Sequence, residues 1–215
     1  MATVEIQTAG HVVLYNIAWS TYEAIMADNS NPGTRFTYDR GTLEIMSPSK
    51  EHERLKKLIG RMIEALTEEL EIPIQSVGST TWKNALKEQG VEADECYYVA
   101  NEPRVRGRRE VDLSVDPPPD LAVEVEITSS WIDKLPIYAG LGVPEVWRYD
   151  GKALYVEHLQ SDGTYARQTQ SRAFPFLALA EIPRFLDQRD ATDETTWIRS
   201  FREWVRGLHE DQRGE

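Results

Sequence analysis

The sequence predicts an α/β domain built on a mixed central β-sheet, and three observations predict it. Helix, hairpin, long helix, strands, helix and hairpin follow one another along the chain. An apolar repeat with helical spacing fills the stretch from about Ser49 to Glu71. The run from Asp120 to Glu126 alternates apolar and acidic side chains, which is typical of a β-strand.

The first elements are a short helix and a hairpin. A helix is expected over about 19–29, with Ser20 or Thr21 as its cap. Alternating residues then stand on both sides of residues 39–41, an Asp-Arg-Gly sequence that predicts a tight turn between two strands.

The longest helix follows this hairpin. Ser47 or Ser49 can cap it, and the acidic Glu51 and Glu53 suit the positive end of the helix dipole. Its apolar face is formed by Leu55, Leu58, Ile59, Met62, Ile63, Leu66 and Leu70. This face predicts packing against the core.

The middle of the chain is less regular. Residues 72–77 and 96–99 have strand composition, whereas 83–93 are polar and ambiguous. Residues 101–119 are a charged excursion that ends in three prolines. The acidic strand follows at once.

Beyond this strand, the sequence predicts a helix, a hairpin and another strand. Ser129 or Ser130 can cap the helix, which extends to about Leu141 and which Pro136 is expected to kink. Asp150-Gly151 predicts the hairpin turn.

The C-terminus predicts an amphipathic helix capped by Asp193. Its apolar face is formed by Trp197, Ile198, Phe201, Trp204, Val205 and Leu208. Such a face packs on the domain or on a second copy in a homodimer. We therefore expect a domain over 1–180 and a helical extension over 181–215.

Composition excludes several classes. The chain of 215 residues has no apolar run near the ~20 residues of a membrane helix, so we expect no membrane partner and a cytoplasmic location. Cys96 is the single cysteine, so an internal disulfide is excluded, and we expect it to be a small buried residue. Without a glycine-rich phosphate loop, no nucleotide cofactor is indicated.

The formal net charge of −12 argues against a general nucleic-acid coat protein, because phosphate binding needs basic residues. One local basic patch could still approach DNA. It consists of Arg104, Arg106, Arg108 and Arg109. The alternative is a solvated loop.

The acidic strand carries the chemistry. Asp120, Glu124 and Glu126 share one face with no basic residue in the run to neutralise them. Asp94, upstream, could join Glu124 in an oxygen-rich site for Mg²⁺ or Mn²⁺. The competing interpretation is a solvated acidic face.

Two further side chains could complete such a site. Lys134 could stabilise a phosphoryl transition state or position the attacking water. Glu44, on the first hairpin, could form another acidic wall.

Three segments together resemble the Uma2 family of restriction-endonuclease-like proteins. They are Gly41–Ser49 followed by Glu51-His52, then Glu92–Asp94 with Pro119–Val125, and the Lys134–Trp147 stretch. The resemblance covers roughly residues 15–165. It implies the PD-(D/E)XK nuclease fold, in which a mixed sheet is flanked by helices.

The resemblance also implies a function. An Asp and a Glu from neighbouring strands would bind a divalent metal, here Asp94 and Glu124, and a water would attack a DNA phosphodiester. The family's motif lysine position is Glu126 here, so Lys134 substitutes for it, Glu126 joins the metal shell, or hydrolysis is lost.

Two assignments stay open. Asp112, twelve positions before Glu124, is a rival to Asp94 because that gap also suits adjacent strands. His52 matches the family's Glu-His pair and could face the site, although a single histidine near a helix end is more often a surface residue.

Overall fold

The computed structural model describes residues 3–8, 10–28, 33–128 and 130–213, with side chains between residues 10 and 208. The described part of the chain contains twelve strands and six helices. The strands are β1 (Thr3–Thr8), β2 (His11–Tyr15), β3 (Arg35–Asp39), β4 (Thr42–Met46), β5 (Gln75–Ser76), β6 (Thr81–Asn84), β7 (Gln89–Glu92), β8 (Glu95–Tyr98), β9 (Leu121–Val125), β10 (Glu145–Tyr149), β11 (Leu154–Leu159) and β12 (Tyr165–Gln168). The helices are α1 (Trp19–Ala27), α2 (Lys50–Glu69), α3 (Glu102–Val105), α4 (Leu135–Leu141), α5 (Glu181–Asp187) and α6 (Glu194–Arg213).

The strands form two six-stranded sheets. One has the order β1-β2-β4-β3-β7-β6 and pairs antiparallel between its described strands. The other has the order β12-β11-β10-β9-β8-β5. In this second sheet β9 and β10 run parallel, and α4 lies between them in the sequence. Such a parallel pair requires a crossover connection, which the predicted helix after the acidic strand supplies.

Helices cover both faces of the second sheet. On one face α2, α5 and α6 pack against Leu121, Val123 and Val125 of β9. On the other face α4 packs against Ala122 and, from the first sheet, against β6 and β7. Both faces of β9 are therefore buried, and its one acidic side chain, Glu124, lies inside the protein.

The two predicted hairpins are confirmed. β3 and β4 pair antiparallel around Arg40 and Gly41, whose φ angles of 43° and 97° are the left-handed values that a type I′ turn needs. β10 and β11 pair around Gly151, at φ 94°. Asp150 accepts hydrogen bonds from the amides of Lys152 and Ala153 and so fixes this turn.

The long helix is also confirmed, with Ser49 as its N-cap. The Ser49 hydroxyl accepts a hydrogen bond from the His52 amide at 3.1 Å. The polar stretch that the sequence left ambiguous is the β6–β7 hairpin.

Three local predictions are wrong. α1 has Ala18 as its N-cap, not Ser20 or Thr21. α4 begins at Leu135, so Pro136 lies in its first turn, where a missing amide has no cost, and does not kink it. Ser130 caps no helix because it binds Glu44 instead, and Ser129 lies outside the described residues.

The C-terminal helix is capped by Asp193, whose carboxylate accepts the amides of Thr195 and Thr196 at 3.0 Å. Its apolar face packs on α2 and α5 within the chain. Trp197, Ile198, Phe201 and Val205 are buried there. In the part of the chain that has coordinates, no helix combines the length and apolar character that crossing a membrane requires.

Candidate functional site

Asp94 and Glu124 lie side by side at the end of the β8–β9 pair. Glu95 pairs with Val123, so the antiparallel register continued by one residue places Asp94 opposite Glu124. Directly opposed residues of an antiparallel pair project to the same face. Each residue is only 1% exposed. Asp94 and Glu124 therefore belong to neighbouring extended segments, as expected from the sequence.

Glu124 is held by two side chains of the next helix. Lys134 Nζ lies 2.6 Å from Glu124 Oε2, and the Tyr138 hydroxyl donates to Oε1. Lys134 and Tyr138 are four residues apart, so one helical face presents both. Tyr138 was missed by the sequence analysis as a site residue, although this spacing from Lys134 could have identified it.

Burial acts on the pKa values of both Glu124 and Lys134, since it disfavours the charged form of each. Burial raises the pKa of Glu124 to about 7, and the adjacent Asp94 adds to the rise, while the Lys134 ammonium opposes it. For Lys134, burial disfavours the charged form, but the carboxylates of Glu124 and Asp94 outweigh it and raise its pKa. The ammonium therefore stays charged beside two acids.

Asp94 is held by two other groups, the Val125 amide and the His52 ring. Its Oδ2 accepts the Val125 amide at 2.8 Å and lies 3.2 Å from His52 Nε2. Although burial works the other way, hydrogen bonding from His52 and the charge of Lys134 lower the pKa of Asp94. The His52 pKa is raised because the Asp94 contact outweighs burial.

His52 is 2% exposed and contacts a site carboxylate, so the surface interpretation is wrong and the site-facing one holds. It reaches Asp94 because Ser49 starts the helix three residues earlier, which places residue 52 in the first turn.

The other two acids of the Asp120–Glu126 run, Asp120 and Glu126, bind partners away from Asp94 and Glu124. Asp120 Oδ2 accepts the amides of Val99 and Asn101 at 2.7 and 2.8 Å. Glu126 forms a two-point pair with Arg148, with both contacts at 2.8 Å. The expected face without neutralising groups is therefore wrong, because partners distant in sequence satisfy each carboxylate separately.

Glu44 is an anchor for the loop that leads to Lys134. Its carboxylate accepts the Ser130 hydroxyl at 2.8 Å and the amides of Trp131 and Ile132 at 2.8 and 3.2 Å. His11 contacts the same carboxylate from β2. Glu44 therefore lines the small cavity and, through these donors, holds the loop of residues 130–132 in place.

The remaining candidates lie elsewhere. Asp112 is exposed in a turn, where it accepts the Ser114 amide at 2.9 Å, so Asp94 and not Asp112 adjoins Glu124. In the basic patch, Arg106 pairs with Glu102, and Arg108 pairs with Asp116 at 2.8 Å. Cys96 is confirmed as a buried residue, and burial raises the pKa of its thiol.

Two adjoining cavities open beside Lys134. The smaller, of about 20 Å³, has room for about one water. The larger is a cleft of about 430 Å³. Both are lined by Glu126, Thr128, Ser130 and Lys134; Arg35, Thr37 and Glu44 line only the small one, and Trp131 and Arg148 only the cleft. Lys134 and Glu126 therefore border open space, whereas neither Asp94 nor Glu124 lines these two cavities.

The donor set fits a hydrated magnesium-type ion better than a closed protein cage. Within the described residues, no group of three or more His, Cys, Asp or Glu side chains is arranged to hold a metal. Mg²⁺, however, commonly uses one or two carboxylates and completes its shell with waters and substrate phosphates. Asp94 and Glu124 can supply that pair.

The chain is similar to known nuclease-type proteins. The model of the Uma2 family, described as "Putative restriction endonuclease", matches residues 19–189. A solved structure, a "putative nuclease belonging to DUF820" from Anabaena variabilis ATCC 29413, shares the fold at a TM-score of 0.50 and 10% identity, covering 78% of this chain and 98% of that one. No curated protein matches the chain. The fold is therefore restriction-endonuclease-like, and the chain belongs to the Uma2 family.

Proposed function

We propose that this protein is a metal-dependent nuclease that hydrolyses phosphodiester bonds of DNA. The observation that carries the proposal is the placement of Asp94 and Glu124 opposite each other with Lys134 bonded to one of them. Restriction endonucleases perform this reaction with acidic residues and a divalent ion, and the family match supports the same chemistry here.

Asp94 and Glu124 are the residues that would hold Mg²⁺ or Mn²⁺. Such an ion lowers the pKa of a water and neutralises charge on a phosphate. His52 and the Val125 amide both bind Asp94 Oδ2 and so fix the orientation of that carboxylate. Tyr138 does the same for Glu124.

Lys134 is the cation that we assign to the transition state. Lys134 lines both cavities, so a phosphate entering the cleft would come close to its side chain. A preorganised charge in a buried site stabilises developing negative charge more than the same charge in water. Glu126, paired with Arg148, forms the neighbouring wall as an additional acid.

Metal binding is tested by calorimetric titration of Mn²⁺ into the wild type and an Asp94→Ala/Glu124→Ala double variant. We expect heat of binding in the wild type only. Asp112→Ala is the matched control, because it removes the rival aspartate outside the site, and it should bind as the wild type does. Equal, negligible heats in wild type and double variant would remove the metal site.

Cleavage is tested separately with supercoiled plasmid and Mn²⁺ between pH 6 and 9. We expect nicking by the wild type and none by the double variant. Lys134→Met should keep Mn²⁺ binding and lose nicking, because the ammonium acts on the phosphate. Absence of nicking by the wild type across this range would count against the nuclease.

The second candidate is a nuclease-fold protein that binds without hydrolysing. Its support is that Lys134 already neutralises Glu124, and that Glu126 stands where the family has its motif lysine. Lys134 points at Glu124, and Arg148 pairs with Glu126 and not with the two site acids, which favours the active form. DNA binding without nicking would select this second candidate.

Homodimer formation stays a prediction. The α6 face on which it rested packs inside the chain. Light scattering at micromolar concentration tests it, and a monomer would exclude it.

A further inference from the structure

Arg35 is a cation at the small cavity that the sequence did not single out. It begins β3, two residues before Thr37, which pairs with Glu44. It lines the same small cavity as Lys134, and its side chain is only 15% exposed. A largely buried arginine thus lines the same small cavity as the assigned transition-state cation.

The hydrogen bonding of Arg35 is incomplete. Its Nε is buried without a hydrogen-bond partner among the described residues. Within the part of the chain that has side-chain coordinates, its Nη2 contacts Glu53 Oε1 alone, at 3.5 Å. By contrast, Arg148 makes two contacts of 2.8 Å to Glu126, and Arg106 makes two of 2.6 and 2.7 Å to Glu102. Because an unpaired buried donor is costly, this arrangement indicates a group kept for a ligand.

Glu53 is poorly suited to be the permanent partner. It is 44% exposed, and three cationic groups surround it at 3.5 to 3.8 Å without a close contact: Arg35, His52 and Lys56. An exposed carboxylate held this loosely can turn into solvent. It would leave behind donors whose geometry matches the oxygens of a phosphate.

We propose that Arg35 binds a backbone phosphate of a polynucleotide that lies across the mouth of the small cavity, next to the cleft, and that Glu53 is the anion this phosphate displaces. The inference rests on the proposed function, since the polynucleotide is the substrate assigned there. A chain of net charge −12 needs local cations of this kind to hold a polyanion.

The test is binding of a fluorescently labelled DNA duplex, followed by anisotropy in EDTA over a series of salt concentrations. Arg35→Ala should weaken binding roughly tenfold at low salt. It should also reduce the slope of log K against log salt by about 0.9, the value for one lost phosphate contact. Glu53→Gln should tighten binding, because it removes the competing charge and leaves the donors in place.

Arg40→Ala is the matched control. Arg40 lies on the same hairpin but pairs with Asp39 at 3.0 Å and is 66% exposed, so its loss should leave the slope unchanged. Arg35→Lys should keep the slope and lose part of the affinity, because it keeps the charge without the planar fork. Thermal melts confirm that each variant is folded.

An unchanged slope in Arg35→Ala, weaker binding in Glu53→Gln, or no duplex binding by the wild type at low salt would each overturn the inference. Binding of inorganic phosphate that depends on Arg35, without duplex binding, would assign the site to free phosphate and overturn it too. If the wild type nicks DNA and the slope of Arg35→Ala is unchanged, the proposed function stands and the role of Arg35 in phosphate binding is refuted. The proposed function fails alone if the slope changes and no nicking occurs.

Discussion

Glu124 and Glu145 are buried carboxylates on adjacent parallel strands, and their partners differ in kind. Glu145 accepts the Trp147 indole N–H and the Ser171 hydroxyl, each at 2.6 Å, together with the Arg172 amide. These three donors are neutral and fixed by the fold, and burial lowers the pKa of a further neighbour, His158, whose Nε2 lies 3.2 Å from Glu145 Oε2. Glu124 is bonded instead to Lys134, an ionisable side chain at the wall of two cavities.

Under the proposed function, this difference would separate a structural acid, Glu145, from a reactive one, Glu124. Neutral donors that cannot leave tie residues 171–173 to β10 and give Glu145 no path to a ligand. The Lys134 ammonium can exchange the Glu124 carboxylate for a phosphate, and a metal cation could replace the ammonium on Glu124. Burial alone does not distinguish the two acids, since both are 1% exposed or less. The chemistry of the partner does.

The largest expected effect is on stability. Glu145→Met should lower the free energy of unfolding by about 3–5 kcal/mol, because several buried neutral donors lose their acceptor at once. The Glu124→Met/Lys134→Met/Tyr138→Phe triple variant should leave it unchanged or raise it by about 1–4 kcal/mol, since a buried ion pair is often replaced by apolar groups without loss. Urea denaturation measures both. A triple variant as unstable as Glu145→Met would make Glu124 a structural acid too.

The next largest effect is on the rate of cleavage, where substitution of Glu124 should matter more than substitution of Glu145. Glu124→Gln should reduce the rate of Mn²⁺-dependent nicking by about 10²–10³-fold, because it replaces a negatively charged carboxylate of the site by a neutral amide. Glu145→Gln should keep the wild-type rate at a temperature where it is folded. Single-turnover nicking measures both rates. Equal losses in the two variants would erase the distinction between them.

A smaller effect should follow from Glu44, which resembles Glu145 in its neutral donors but holds the loop before Lys134. Glu44→Gln should lower kcat about tenfold with little change in Mn²⁺ affinity, because the amide cannot accept every donor of residues 130–132 and Lys134 shifts. Calorimetry and nicking separate the two quantities. A lost Mn²⁺ affinity with normal kcat would instead place Glu44 among the metal ligands.

Much of the fold followed from local patterns. Turn sequences such as Arg40-Gly41 and the Ser49 cap are encoded by neighbouring residues, so their positions could be predicted. The parallel pair of β9 and β10 also follows from the short helix between them. The two-residue strand β5 and the β6–β7 hairpin have weak local signals because distant partners stabilise them.

The site was predictable only in part, for the same reason. The alternation of the acidic strand places Glu124 on one face, but it could not show that Arg148 neutralises Glu126 and that Asn101 donates a hydrogen bond to Asp120. Those partners lie 22 and 19 residues away in sequence. Arg35 had no signal beyond its place in a hairpin, since its role depends on the cavity that folding creates.

The smallest expected effect concerns the pH dependence that distinguishes the site from Glu145. Contact with Asp94 raises the His52 pKa above its usual value near 6.5, so the folded state binds an extra proton. This stabilisation is complete below pH 6.5 and is lost as pH rises through the raised pKa. His52→Gln should therefore lower the free energy of unfolding most near pH 5.5 and progressively less toward pH 9.

The measurement is urea denaturation of wild type and His52→Gln at several pH values. The difference between them removes the contribution of Glu124, whose raised pKa acts in the window from about 4.5 to about 7. His158→Gln is the control: burial lowers the pKa of His158 beside Glu145, so its contribution has the opposite sign and grows as pH rises. Equal pH dependence in the two variants would mean that the His52–Asp94 contact carries no charge, and Asp94 would then resemble Glu145 in having a neutral partner.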